Sequence, residues 1–196
     1  MNKRGFEVIS SYADKNIQLP KRATKHAAGY DFEAAEEIVL PAIWKTVVQS
    51  AGSHLTEIFS SDKDEALEKK EQLLRPLLVP TGIKAYMQED EYLQLTNRSS
   101  NPLKNFIVLP NGVGIVDADY YNNEGNEGHI YFQFLNFGLR DKVIRKGDRI
   151  GQGIFLQFLK ADQDEAEGSE RTGGFGSSGQ AEKEKPNPRV IADCYT

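Results

Sequence analysis

The punctuation of the apolar residues constrains this chain most. From Leu77 to Phe158 they come in short runs broken by glycine, proline and asparagine, too short for helices and the right length for strands. Leu77-Leu-Val79 and Ile83-Lys-Ala-Tyr-Met87 flank Pro80-Thr-Gly82, which reads as two strands around a tight turn. Tyr92-Leu-Gln-Leu-Thr96 alternates, and His129 to Leu135 is rich in aromatic and β-branched residues. Arg149 to Phe158 places Ile150, Gln152, Ile154, Leu156 and Phe158 on one side of a strand and Phe155 on the other. Phe6-Glu-Val-Ile9 adds an edge strand. The expectation is an all-β barrel or sandwich.

Two stretches break the pattern. Ile43, Val47, Val48, Ala51, Leu55, Ile58 and Phe59 recur at helical spacing. Ser60-Ser61-Asp62 then offers an N-cap for a second helix over Lys63 to Leu74, so a helical hairpin over about 43–75 is inserted into the β domain. Residues 180–196 are polar and proline-bearing, as expected of a disordered tail after a domain spanning 1–179.

With a net charge of −5, the chain lacks the broad basic surface that nucleic acid requires. It carries no apolar run long enough for a signal peptide or a membrane span, and its lone cysteine, Cys194, excludes an internal disulfide and a thiolate zinc cluster. A cytoplasmic protein is expected. An acidic protein can still bind a polyanion by focusing a few arginines on one cleft.

Five segments suit that task. In Ala27-Ala-Gly-Tyr-Asp31, Gly29 permits an unusual backbone angle and Asp31 could hold a water around a hard cation; a turn glycine before a strand aspartate is the plain alternative. Asn97-Arg-Ser-Ser-Asn-Pro102 presents Arg98, Ser99 and Ser100 at a strand-to-helix junction, which suits phosphate and equally suits an ordinary helix start. Asn111-Gly112 reads as a hairpin turn whose backbone could read a base edge; Asp117 follows as a candidate base toward water and Tyr120 as a plate for a sugar. In Lys146-Gly-Asp-Arg-Ile-Gly-Gln152, Arg149 and Gln152 could reach phosphate, with a salt bridge as the equal alternative for Arg149. Finally, Arg171-Thr-Gly-Gly-Phe-Gly-Ser-Ser-Gly179 has glycines that suit backbone amides closing on phosphates. A bare linker would need neither Arg171 nor Phe175.

In this order the five segments resemble the five motifs of the trimeric dUTPase family. The resemblance implies a β jelly roll, of the β-clip type, assembled as a homotrimer with active sites at subunit junctions and the fifth motif as a lid. It implies hydrolysis of dUTP to dUMP and pyrophosphate with Mg²⁺, limiting uracil in DNA and supplying dUMP. Asp117 would activate the attacking water, and Asp31 would touch the metal through water. Asn111 and the neighbouring backbone, including Gly114, would recognise uracil, while Tyr120 would pack on deoxyribose. Arg98, Ser99, Ser100 and Gln152 would meet phosphates. Arg171, Gly176, Ser177 and Ser178 would engage the outer phosphates, Phe175 would cover the base, and Arg149 would be structural. Three departures stand out: Asn122 replaces a usual glycine, a place where asparagine tolerates a left-handed backbone, Thr172 replaces another, and the helical insertion between the first and second motifs is the largest. The alternatives are a related dCTP deaminase and a phage-type regulatory protein. The insertion is read as decoration rather than as a platform for a protein partner.

Overall fold

The computed structural model describes residues 3–45, 47–48 and 74–164. The second helix of the expected hairpin, most of the first, and everything from Arg171 onward lie outside the described residues. Residues 43–45 and 47–48 are helical, as the spacing predicts.

The rest is built from strands. In chain order they are β1 (Gly5–Val8), β2 (Lys21–Arg22), β3 (Tyr30–Glu33), β4 (Ile38–Leu40), β5 (Leu77–Pro80), β6 (Ile83–Tyr86), β7 (Glu91–Asn97), β8 (Ile107–Val108), β9 (Val113–Asp117), β10 (Tyr131–Asn136), β11 (Lys142–Ile144) and β12 (Arg149–Gln157). The largest sheet runs β2-β3-β12-β7-β9, and smaller sheets pair β5-β10-β8, β1-β6 and β11-β4, every pairing between these strands being antiparallel. This is the expected all-β jelly-roll class. Among the described residues no helix is long and apolar enough to cross a membrane.

The inner faces meet over an aromatic core. Phe32, Phe132 and Phe134 are fully buried, with ring centroids 5.6 Å apart for Phe32–Phe132 and 6.0 Å for Phe132–Phe134. Leu93, Leu95 and Val116 join from β7 and β9. These rings explain Gly151 and Gly153: a Cβ on Gly151 would sit 2.0 Å from Phe132 Cε1, and one on Gly153 would sit 2.8 Å from Phe32 Cε2. Strand β12 crosses the core here because it has no side chains to keep it away.

Three sequence expectations change. Leu77–Pro80 and Ile83–Tyr86 are strands, yet they do not pair with each other: β5 joins β10 while β6 joins β1. Gly82, at φ +69°, turns the chain from one sheet to another, and the Thr81 hydroxyl bonds the Ile130 carbonyl at 2.6 Å. Asn111-Gly112 is likewise a tight turn, with Gly112 at φ +70°, but it links β8 and β9, which belong to different sheets. Finally, a bulge between Arg149 and Gly151 breaks the alternation of β12, so Ile150 drops into the core while Gln152, Ile154 and Leu156 keep the outer face.

Candidate active site

The register of the five-stranded sheet lays the candidate residues across its outer face. Lys21 opposes Asp31, Asp31 opposes Gln152, Gln152 opposes Thr96, and Thr96 opposes Val113. Four residue pairs along, Leu156, Tyr92 and Asp117 form a parallel row. Four of the motifs recognised in the sequence therefore meet one sheet.

Asp31 is the electrostatic centre of the first row. Arg149 Nη1 stands 3.1 Å from its Oδ2 and Arg98 Nε stands 3.5 Å from its Oδ1. Arg98 also donates to the Arg149 carbonyl at 3.3 Å. The expected ion pair of Arg149 is thus made with Asp31, and Arg98, expected to serve phosphate, shares the same partner. Two positive groups thus share one carboxylate.

Gln152 lies on the same face, and its amide makes no hydrogen bond to any described residue. Gly29 is what lets it lie there: a Cβ on Gly29 would come within 2.4 Å of Gln152 Oε1. The expected unusual backbone angle at Gly29 is not found, since its φ lies outside the left-handed region. The missing side chain matters, and the torsion does not.

Ser99 is exposed and Ser100 half-buried at the entry to a single helical turn, Asn101–Asn105, as the Ser-Asn-Pro string predicts. A pocket of about 390 Å³ opens beside it, where Arg98, Ser100, Lys142 and Arg149 converge against Glu33 and Asp148. Lys142, which donates to Asn105 Oδ1 at 3.1 Å, carried no sequence signal because it lies in no recognisable string.

A second pocket, about 190 Å³, gathers Asn111, Gly114 and Tyr120 with His129, Tyr131 and Gln133. Gly114 belongs there for a packing reason, since a Cβ would press on Leu95 at 3.2 Å. Asp117 ends β9 just beyond Val116, another lining residue, and is half-buried. Tyr120 is 7% exposed, and its hydroxyl donates to the His129 carbonyl at 3.1 Å and accepts from Asn126 Nδ2 at 2.8 Å. Burial drives the His129 pKa down to about 4, so its neutral ring accepts the Gly82 N–H at 2.9 Å. Asn122 adopts φ +56°, the left-handed backbone expected of it.

The donor set bears on a metal ion. Among the described residues no three His, Cys, Asp or Glu side chains cluster as a cage. Asp31 still offers unused oxygen lone pairs, which fits a magnesium ion held mainly by water and substrate phosphate. Arg171, Phe175, Gly176, Ser177 and Ser178 lie outside the described residues.

Known proteins match this arrangement closely. Residues 59–179 match the family model described as dUTPase. The deoxyuridine 5′-triphosphate nucleotidohydrolase of Lactococcus lactis is 47% identical over 180 residues, covering 91% of this chain and 99% of the relative. That of Rickettsia bellii is 33% identical over 166 residues, covering 83% and 87%. The crystal structure of the dUTPase from Streptococcus mutans superposes with a TM-score of 0.62 at 42% identity, covering 81% of this chain and 98% of that one. The dUTPase of Staphylococcus bacteriophage 80alpha, at 19% identity and a TM-score of 0.56, shares the fold. With its motifs on one sheet and relatives that match it over nearly their whole length, the chain belongs to the dUTPase family.

Proposed function

We propose that the protein is a dUTP diphosphatase, and that its working site is assembled from more than one copy of the chain. The observation that carries this is the division of the site. One pocket, with Asn111, Gly114 and Tyr120, has the apolar walls and few polar groups that suit a nucleoside. The other, with Arg98, Ser100, Lys142 and Arg149, suits phosphates. Within one chain the two pockets share no lining residue. Asp117 pairs with Tyr92 and Gln152 pairs with Thr96, four residues on, so roughly 13 Å of β7 separates their rows.

A second copy supplies what is missing. Between and beside the two rows the outer face exposes apolar side chains: Ile115, between them, is 51% exposed, and Leu156, in the second row, 37%. A homotrimer that seats these faces against one another would bring the nucleoside half of one subunit to the phosphate half of the next.

In this reading Asn111 and the Gly114 backbone take the uracil edge, and the Tyr120 ring lies against deoxyribose. Arg98, Ser99, Ser100 and Gln152 hold phosphate oxygens. Arg149 keeps Arg98 and Asp31 in register. Asp117 accepts a proton from water as that water attacks the α-phosphorus; the bond to the bridging oxygen breaks, giving dUMP and pyrophosphate. Asp31 would hold Mg²⁺ through water, and the ion would supply charge neutralisation at the phosphates. Arg171, Gly176, Ser177 and Ser178 add contacts to the outer phosphates, and Phe175 covers the base. The relatives named above carry the dUTP or dUTPase name, which favours this reading over the dCTP deaminase alternative.

Subunit mixing tests the reading. Asp117→Asn should bind dUTP and lose most turnover, and Arg98→Ala should be inactive through weakened phosphate binding. Refolding the two together should restore a fraction of the wild-type rate, because mixed trimers contain sites with both residues intact. Near-normal turnover by Asp117→Asn would refute its role as base. A mixture no more active than its components would refute the shared site.

A further inference from the structure

We propose that Asn126 is a positioning residue for Tyr120 and, through it, sets discrimination against a 2′-hydroxyl. The proposal rests on the reading above that Tyr120 lies against the deoxyribose.

Residues Tyr121 to Gly128 form an asparagine- and glycine-rich loop whose polar groups bond one another. Asn123 is buried; its Oδ1 accepts from the N–H groups of Gly125 and Asn126 at 3.0 and 3.1 Å, and its Nδ2 donates to the Tyr120 carbonyl at 2.8 Å. Asn123 Nδ2 also donates to Asn126 Oδ1 at 2.9 Å, and that same oxygen accepts the Gly128 N–H at 3.0 Å. With its oxygen held from two sides, the Asn126 amide can point its Nδ2 in one direction, at the Tyr120 hydroxyl 2.8 Å away. The hydroxyl in turn donates to the His129 carbonyl. Both termini of the phenol's hydrogen-bonding capacity are engaged, which fixes where the ring edge lies.

The loop is itself tied to the body. Ser10 N–H donates to Glu127 Oε2 at 2.7 Å, Lys84 Nζ donates to Asn122 Oδ1 at 2.6 Å, and the Tyr121 hydroxyl donates to Glu7 Oε2 at 2.7 Å. Asn126 does not line the nucleoside pocket, whereas Tyr120 does. Asn126 therefore acts behind the wall, and Tyr120 acts as the wall. A ring held from the rear can exclude one added oxygen atom, whereas a ring free to tilt yields to it.

The test is the ratio of kcat/KM for dUTP over UTP in four variants, with Tm measured alongside. Asn126→Leu should lower the ratio about tenfold, the worth of one neutral hydrogen bond, mainly through better use of UTP. Tyr120→Phe should lower it by a similar factor, and Asn126→Leu in the Tyr120→Phe background should add little. A purely structural role would lower Tm and slow both substrates together with the ratio unchanged, which overturns the proposal. A full further tenfold loss in the Tyr120→Phe background also overturns it. If Asn126→Leu fails to fold, Asn126→Ala carries the same expectation, since it removes the N–H toward Tyr120 without adding bulk or a new acceptor for the phenol. Tyr120→Ala separates the two readings: collapse of its ratio beside an unchanged Asn126→Leu refutes the present inference alone, and an unchanged Tyr120→Ala refutes the placement of the sugar.

Discussion

Acidification from pH 7 to pH 5 should destabilise this protein through one residue, His129. The imidazole is 3% exposed and lies between Tyr12 and Tyr131, with ring centroids 5.3 and 4.0 Å away. Burial lowers its pKa from 6.5 to about 4, opposed by Glu36 and Glu127 and aided by Lys15. The unfolded chain thus binds a proton near pH 6.5 that the native state refuses until about pH 4. Stability must rise with pH across that window and fall as acid is added. Linkage with these two values gives a loss of about 2 kcal/mol between pH 7 and pH 5, and about 3 kcal/mol over the whole window. Glu36, Glu91 and Asp141 have pKa values lowered by their hydrogen-bond partners, so their losses fall mostly below pH 5. The assay is urea unfolding at both pH values, at fixed protein concentration because assembly contributes to stability. His129→Gln, whose amide oxygen can still accept the Gly82 N–H, should be less stable at pH 7 yet lose about 2 kcal/mol less on acidification. Equal pH dependence in the two proteins would refute the reasoning.

Three further outcomes are expected. Gly29→Ala should leave Tm nearly unchanged and raise KM for dUTP by displacing Gln152; in a Gln152→Ala background it should do nothing more, and additive effects would mean that Gly29 acts elsewhere. Gly151→Ala should destabilise by about 1–3 kcal/mol, read by urea unfolding, because the added methyl overlaps the Phe132 ring. Replacing residues 49–73 with a short glycine-serine linker should preserve dUTP turnover, since every candidate site residue lies outside that segment and its entry is held independently: Trp44 Nε1 donates to the Phe137 carbonyl at 3.1 Å and Lys45 pairs with Asp141 at 2.9 Å. Loss of turnover would give the insertion a part in the site.

Strand positions were legible because period-two alternation is a local property, and β7 and β10 follow it almost residue for residue. Partners were not. The strands around Pro80-Thr-Gly82 look like a hairpin, but Gly82 redirects β6 to β1, a choice made by residues far away in the chain. The bulge that buries Ile150 has the same origin, since the extra residue is defined only against Phe32 and Glu33 on the partner strand. At the site, Asp31, Arg98, Asn111, Tyr120 and Gln152 stood out because each lies in a recognisable string. The residues that hold them were silent. Gly29 gave a misleading cue toward torsion, Lys142 gave none, and Asn123 and Asn126 sit in a run that reads as an ordinary polar loop. Support of this kind depends on distances between side chains, which spacing along a chain does not encode.

The most direct test of the central claim is pyrophosphate release by the purified protein with Mg²⁺, given dUTP and dCTP separately with ammonia followed in parallel. Rapid pyrophosphate release from dUTP, with dUMP as the other product and no ammonia from dCTP, is the predicted result. Ammonia from dCTP without pyrophosphate from dUTP would contradict it.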